Sequence, residues 1–218
     1  MTTVSSLSRR FFVRSSAMLF AAALLLAGFS AHAQAVGPND LIEKISAEVI
    51  ARIKADKDIQ SGDFSKVSGL VDSTIMPHVN FERMTALAVG RGWREATDAQ
   101  KASMVEQFRI LLLRTYSGAL SQFKDQRIEM KPLRALPEDK EVIVRSDILG
   151  GGEPIQMNYR LEKNGDSWKI FDLNVLGVWL VDTYRNQFKQ IVNAKGMDGL
   201  IETLAEKNRQ FATAEKRG

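Results

Sequence analysis

The chain has 218 residues, 44% hydrophobic and 26% charged, which fits one globular domain or two small ones and excludes a disordered, fibrous or multi-spanning membrane protein. The sequence contains no cysteine, which excludes disulfides, a thiolate nucleophile, Cys-ligated zinc and lipid attachment through cysteine. The formal net charge is +4, and it falls to +1 once Arg9, Arg10 and Arg14 are removed with a predicted export signal. A nearly neutral protein of this kind does not favour a nucleic-acid partner.

Residues 1–33 have the pattern of an export signal. A basic start precedes an apolar stretch from Ala17 to Phe29, which is too short to span about 30 Å of hydrocarbon. Because Ala31-His32-Ala33 fits a small-x-small cleavage site, we predict cleavage after Ala33, a periplasmic location in a double-membraned bacterium, and one domain over residues 34–218. The run SRRFFVR at residues 8–14 resembles the twin-arginine export motif, and an ordinary Sec signal is the alternative.

The first half of the remaining chain is predicted to be helical. Apolar residues recur at steps of three and four over residues 38–60, 64–75, 80–89 and 97–123. The first helix is expected to begin near Asn39 or Asp40, and Thr97 and Gln100 have the spacing of a capping box. The last helix carries a wide apolar face, so it must lie against a large apolar surface.

The apolar period changes to two after Asp125, which predicts antiparallel strands. We expect strands around residues 128–130, 142–144, 155–161 and 167–176, with turns at Gly150-Gly151-Gly152 and at Asn164-Gly165. Two helices, over residues 180–194 and 197–211, are predicted to close the chain. The predicted fold class is therefore α+β, with a sheet of about four strands and a helical N-terminal half.

The sequence contains few candidate catalytic or metal-binding residues. His78, the one histidine after the export signal, has no second histidine at a metal-binding spacing, and no Gly-x-Ser-x-Gly elbow occurs. Glu82 and Asp172 are expected at solvated edges. We therefore predict no catalytic residues, metal or cofactor, although a Ser-His-Asp site assembled in space stays an alternative.

Six methionines follow the export signal and are spread over elements predicted to face one another. Methionine adapts to irregular contents, which suits a cavity that holds flexible chains. The same spacing is typical of an ordinary core, so periodicity alone leaves both interpretations open.

Three segments carry a resemblance that decides between them: VNFERMTALAVGRGW at residues 79–93, ATDAQKASMVEQFRILLLRTYSGAL at 96–120 and WKIFDLNVLGVWLVDTYRNQF at 168–188. In this order and spacing they resemble the MlaC family of periplasmic phospholipid carriers, also called toluene-tolerance auxiliary proteins of lipid ABC transporters. The chain departs from that pattern at Leu176-Gly177-Val178-Trp179, where such proteins often have Glu-Gly-Val-Ser.

The resemblance implies a curved antiparallel sheet wrapped by helices, loosely like the NTF2 group, and a monomeric, non-enzymatic carrier with phospholipid as cargo. Its implied partners are an outer-membrane lipoprotein complex and the MCE-domain subunit of an inner-membrane ABC transporter, in the maintenance of outer-membrane lipid asymmetry. A cargo-free interaction module of the envelope and an exported hydrolase are the alternatives. Arg91 and Arg94 are expected to meet a phosphate or an acidic partner, with a solvated loop as the alternative. The side chains expected to line the acyl-chain cavity are Met84, Leu87, Ala88, Phe108, Leu112, Tyr116, Met130, Val144, Met157, Tyr159, Val175 and Val178.

Overall fold

The computed structural model describes residues 36–121, 126–136, 138–150 and 152–215. The predicted export signal and its cleavage site lie outside these residues, as do Gly151 of the predicted triple-glycine turn and Phe123 at the predicted end of the longest helix. Within the described ranges, no helix combines enough length and apolarity to cross a bilayer.

Helices occupy the first half, as predicted. Between the third and fourth helices the chain forms a π-helical segment, Val71–Ile75, and a 3-10 turn, Met76–His78. A short helix at Arg91–Glu95, which the apolar spacing does not predict, precedes the longest one. The helices are α1 (Pro38–Ala55), α2 (Lys57–Ser61), α3 (Phe64–Leu70), α4 (Phe81–Val89), α5 (Arg91–Glu95) and α6 (Asp98–Ser121).

Side-chain caps decide where the helices begin and end. The predicted continuous helix over residues 38–60 is wrong, because the Asp56 carboxylate accepts the backbone N–H groups of Asp58 and Ile59 and thereby starts α2. The cap of α1 is Gly37, with Pro38 in the first turn, and not Asn39 or Asp40. The capping box of α6 is confirmed: Gln100 N–H donates to Thr97 Oγ1 at 3.2 Å, and Thr97 N–H donates to Gln100 Oε1 at 2.9 Å.

The sheet is an open antiparallel meander with strand order β1-β2-β3-β4-β5. It has one strand more than the predicted four, because the chain turns back at Leu176 and Gly177 and adds a short fifth strand. Both turn residues have positive φ, 50° and 88°, as a tight hairpin turn requires. The strands are β1 (Arg127–Met130), β2 (Glu141–Leu149), β3 (Ile155–Asn164), β4 (Ser167–Val175) and β5 (Val178–Trp179).

One face of the sheet is apolar, and the pairing register arranges its residues in four rows that cross the strands. Two inner rows are nearest the chain turn that joins β3 and β4, and two outer rows are nearest the Leu176-Gly177 turn. The inner rows are Val142-Leu161-Ile170 and Val144-Tyr159-Leu173. The outer rows are Met130-Ser146-Met157-Val175-Val178 and Ile128-Ile148-Ile155.

The opposite face of the sheet is charged. Asp172 lies on this face, and the prediction that it is at a solvated edge is wrong. A β-bulge opposite Arg160 lets Phe171 and Asp172 both lie on this face. Asp172 is fully buried, accepts the N–H groups of Leu173 and Val181, and pairs with Arg160 at 2.8 Å. The carboxylate is buried because the last helix, α7 (Leu180–Glu215), begins directly over it.

Among the described residues, the buried apolar side chains form two clusters, and Val79 packs against both. The sheet cluster joins the inner rows to one stripe of α1 and to α2 and α3. The helix cluster joins α4 and α6 to α7, which bends at Gly196 (φ 70°), close to the predicted gap between two final helices. The sheet cluster is Leu41, Ile42, Ile45, Val49, Ile53, Ile59, Val67, Leu70, Val142, Val144, Tyr159, Leu161 and Ile170. The helix cluster is Phe81, Met84, Ala88, Val89, Ala96, Met104, Phe108, Leu111, Val181, Tyr184, Phe188, Met197, Leu200 and Leu204.

Asp172 makes a pH-dependent contribution to stability that an asparagine lacks. Burial raises the pKa of Asp172 above the ordinary aspartate value, against the opposing effects of the two N–H donors and Arg160. The stabilisation from this raised pKa is complete below the unfolded-state pKa of about 3.9 and is lost as pH rises through the folded-state pKa. Urea unfolding should therefore show wild type losing stability relative to Asp172→Asn as pH rises from about 3.5 toward neutrality. A relative gain of wild type over the same range would contradict it.

Candidate functional site

Burial on the apolar face of the sheet decreases from the inner rows to the outer rows. In the innermost row, Val142, Leu161 and Ile170 are all buried beneath helices. In the five-residue outer row, Met130, Met157 and Val175 are half-buried and Val178 is 56% exposed. Ser146 and Ile148, the members of the outer rows on β2, are buried at 1% and 7% exposure. On the other strands the outer rows form an apolar surface that is partly open to solvent, and this surface is called the trough below. With an interstrand spacing of about 4.8 Å, the five-residue row crosses the sheet over about 19 Å.

The trough continues onto the hairpin between β4 and β5. Leu176 and Val178 are 65% and 56% exposed, and Ile155 on β3 is 37% exposed. The Leu176 N–H donates to the Gln156 carbonyl at 3.0 Å, which ties the hairpin to β3. Exposed apolar residues that adjoin one another mark an interaction site more often than isolated ones do.

Hydroxyl groups interrupt this apolar surface at one place, where Tyr159 and Ser146 are diagonal neighbours on β3 and β2. Both are buried, at 8% and 1% exposure. The Ser46 hydroxyl of α1 approaches the Tyr159 hydroxyl from the helix side, and Ser146 approaches it from the sheet. Burial raises the pKa of Tyr159, so the phenol keeps its proton and stays a hydrogen-bond donor at neutral pH.

The structure divides the twelve predicted lining residues between different environments. Met130, Met157, Val175 and Val178 share the five-residue outer row, and Val144 and Tyr159 lie beside it in an inner row. The remaining six are on α4 and α6, in or against the helix cluster or on its exposed side: Met84, Leu87, Ala88, Phe108, Leu112 and Tyr116.

Phe108 is the centre of the helix cluster. Its side chain has no solvent exposure, and its ring packs against Phe81, Tyr184 and Phe188 at centroid distances of 5.6, 4.9 and 5.2 Å. Tyr116, two turns further along α6, is 37% exposed, and its hydroxyl lies near Tyr184. Burial, with Tyr116 nearby, raises the pKa of Tyr184 to about 12. The main packing partners of α6 are other helices and not the sheet.

Arg91 and Arg94 lie on α5, away from the trough. Both are exposed, and Arg91 faces Glu95 at 3.7 Å. Their helix is held against α7 by Gly92, where a Cβ would approach Val192 at 3.0 Å. The structure therefore does not bring these arginines together with the predicted lining residues of the sheet.

His78 has cationic neighbours. It is half-buried in the 3-10 turn, and its pKa is lowered by burial and by the positive charges of Lys169 and Lys44, which outweigh the opposing effect of the Glu48 carboxylate. A catalytic histidine base is normally oriented by a carboxylate that favours its charged form, and these lysines do the opposite. Within the described residues, no group of three or more His, Asp or Glu side chains could hold a metal ion.

Sequence reasoning missed several residues of the trough. Ile155 and Ile128 have the same alternation that indicated Met157 and Met130, so the signal was present. The sequence does not contain the pairing register between strands, and this register places Ile155 opposite Ile148 in an outer row. Two surface depressions lined by described residues, one along the end of α7 and one around Val79 and Lys169, contain none of the predicted lining residues.

Comparisons with known proteins identify the family of this chain. The family model described as MlaC protein matches residues 43–206, which is most of the chain. The chain belongs to the MlaC family. Two curated relatives are the intermembrane phospholipid transport system binding protein MlaC of Haemophilus influenzae, 22% identical over 78% of this chain and 81% of its own length, and the toluene tolerance protein ttg2D of Pseudomonas putida, 25% identical over 74% and 75%.

A solved structure shares both the MlaC fold and much of the sequence. It is a phospholipid-binding protein from Ralstonia solanacearum in complex with a phospholipid, 40% identical, with a TM-score of 0.78 over 80% of this chain and 98% of that one. The expected α+β MlaC fold is therefore confirmed, with a sheet that stays open.

Proposed function

We propose that this chain is a phospholipid carrier that encloses acyl chains over the outer rows of its sheet and leaves the head group in water. The observation that carries the proposal is the open apolar trough beside a filled sheet cluster. The 40% identical relative, solved with a phospholipid bound, supports the choice of cargo.

The physical need for a carrier follows from the cargo. A diacyl lipid has about 30 chain methylenes, and at about 0.8 kcal/mol each their exposure to water would cost about 24 kcal/mol. An apolar surface with few polar anchors lowers that cost and still permits release. The outer rows fit this requirement, since Ser146 is their one polar side chain and it is buried.

The predicted lining residues differ in how lipid would reach them. Met130, Met157, Val175 and Val178 already have solvent-accessible surface, so acyl chains can contact them without rearrangement. Val144 and Phe108 have none, so contact with them requires the neighbouring helices to move. The proposal therefore places the first acyl-chain contacts on the outer rows.

The proposed setting is the periplasm. Residues 1–33 have the pattern of an export signal, and a relative's name describes a binding protein of an intermembrane phospholipid transport system. In this setting the carrier exchanges lipid with an outer-membrane lipoprotein complex and with the MCE-domain subunit of an inner-membrane ABC transporter. This exchange maintains the lipid asymmetry of the outer membrane. The reaction is transfer of an intact molecule, without covalent chemistry.

Native mass spectrometry tests the proposal directly. Protein purified without detergent from a bacterial envelope should carry an added mass equal to one or more diacyl phospholipids, and lipid extracted from it should have the same mass. Residues 34–218 refolded from urea in the absence of lipid provide the matched control, and they should regain the added mass from phospholipid vesicles. Bare polypeptide in both preparations would contradict the carrier and favour a cargo-free interaction module.

A further inference from the structure

The hydroxyl group of Tyr159 is buried within an apolar row of the sheet. Its row neighbours Val144 and Leu173 are apolar, and its oxygen lies 3.8 Å from the Met157 sulfur. A thioether is a weak hydrogen-bond acceptor, so the phenol proton has a poor partner in this direction. Buried hydroxyl groups normally have good partners, because leaving one unsatisfied costs free energy.

The hydroxyls of Ser146 and Ser46 lie beside the Tyr159 hydroxyl and compete with the Met157 sulfur for its proton. Ser146 donates to the Met157 carbonyl at 3.4 Å, and the Ser46 hydroxyl comes from α1, on the other side of the sheet cluster. The group contains three hydroxyl donors and adjoins Met157, a flexible residue of the outer row. Displacement of the methionine sulfur would expose the Tyr159 proton to whatever lies in the trough.

A phospholipid has one kind of acceptor that belongs beside acyl methylenes. Its ester carbonyl oxygens join the apolar tails to the polar head, and they are far stronger acceptors than a thioether. The head-group phosphate is a poorer match here, because the Tyr159 group holds no cation and is buried.

We propose that the Tyr159 hydroxyl, positioned by Ser46 and Ser146, donates a hydrogen bond to an ester carbonyl oxygen of the bound phospholipid and thereby selects ester-linked over ether-linked lipids. The inference rests on the proposed carrier function and adds a residue that recognises the linkage. Discrimination arises because an ether oxygen is a weaker acceptor than an ester carbonyl and competes less well for the phenol proton against the neighbouring hydroxyls and the Met157 sulfur.

A competition experiment measures this selection. Delipidated full-length protein is mixed with equimolar diacyl phosphatidylethanolamine and its dialkyl ether analogue of equal chain length, and native mass spectrometry counts the two complexes. One hydrogen bond of ordinary net strength predicts about a fivefold excess of the diester on wild type. Tyr159→Phe should reduce the ratio to about one, and Ser46→Ala should give an intermediate value.

The ratio is independent of the folded fraction, because both lipids compete for the same folded molecules. Tyr184→Phe removes a buried hydroxyl from the helix cluster and should keep the fivefold ratio. An equal ratio in wild type and Tyr159→Phe, or a wild-type ratio of one, overturns the Tyr159 assignment while the carrier function stands. Wild type that binds neither lipid overturns both.

Discussion

Met157→Lys should weaken phospholipid binding about a hundredfold. Met157 lies in the middle of the five-residue outer row, between Ser146 and Val175. An unpaired ammonium among acyl methylenes costs several kcal/mol, part of which the long lysine side chain recovers by reaching toward water. About 2.8 kcal/mol of remaining cost corresponds to a hundredfold change, measurable as lipid retained per folded molecule.

The matched control for this variant is Gln156→Lys. Gln156 is the adjacent residue in β3, is exposed, and pairs with Asp147 on the charged face. Both variants add one positive charge to the same strand, and the control should keep wild-type lipid content. Equal losses in the two variants, or full lipid retention in Met157→Lys, would mean that the outer row does not contact the cargo.

Phe108→Ala should lower the free energy of unfolding by about 3–5 kcal/mol, which is the range for truncating a fully buried phenylalanine. The reason is the loss of ring contacts with Phe81, Tyr184 and Phe188 at the centre of the helix cluster. Urea unfolding followed by circular dichroism measures the change. A loss of this size is a large fraction of the stability of a typical domain.

Phe64→Ala is the comparison for Phe108→Ala. Phe64 is a half-buried phenylalanine outside both clusters, and its ring lies 4.1 Å from the Arg114 guanidinium. Its truncation should lower the free energy of unfolding by less than half as much. Lipid bound per folded molecule separates two roles for Phe108. Unchanged lipid content fits a residue of the helix cluster, and a fall matching that of Met157→Lys fits the sequence-based expectation that Phe108 lines the lipid site.

Much of the fold could be predicted because its signals are local. The capping box at Thr97 and Gln100 needs only the backbone of one helical turn, and it is present as expected. The alternation of Met157, Tyr159 and Leu161 follows from the pleat of a strand, so their common face was predictable as well. The fifth strand was missed because two residues carry too little periodicity to be recognised.

The sequence by itself determined the amphipathic elements, the apolar face of the sheet and the family resemblance. Only the tertiary structure decided which apolar residues are covered. Phe108 and Met157 have similar apolar character, yet one is enclosed by rings from distant segments and the other borders solvent. Asp172 is buried because the start of α7 and Arg160 meet over it. Exposure is a property of contacts between segments remote in sequence, and periodicity within one segment does not contain it.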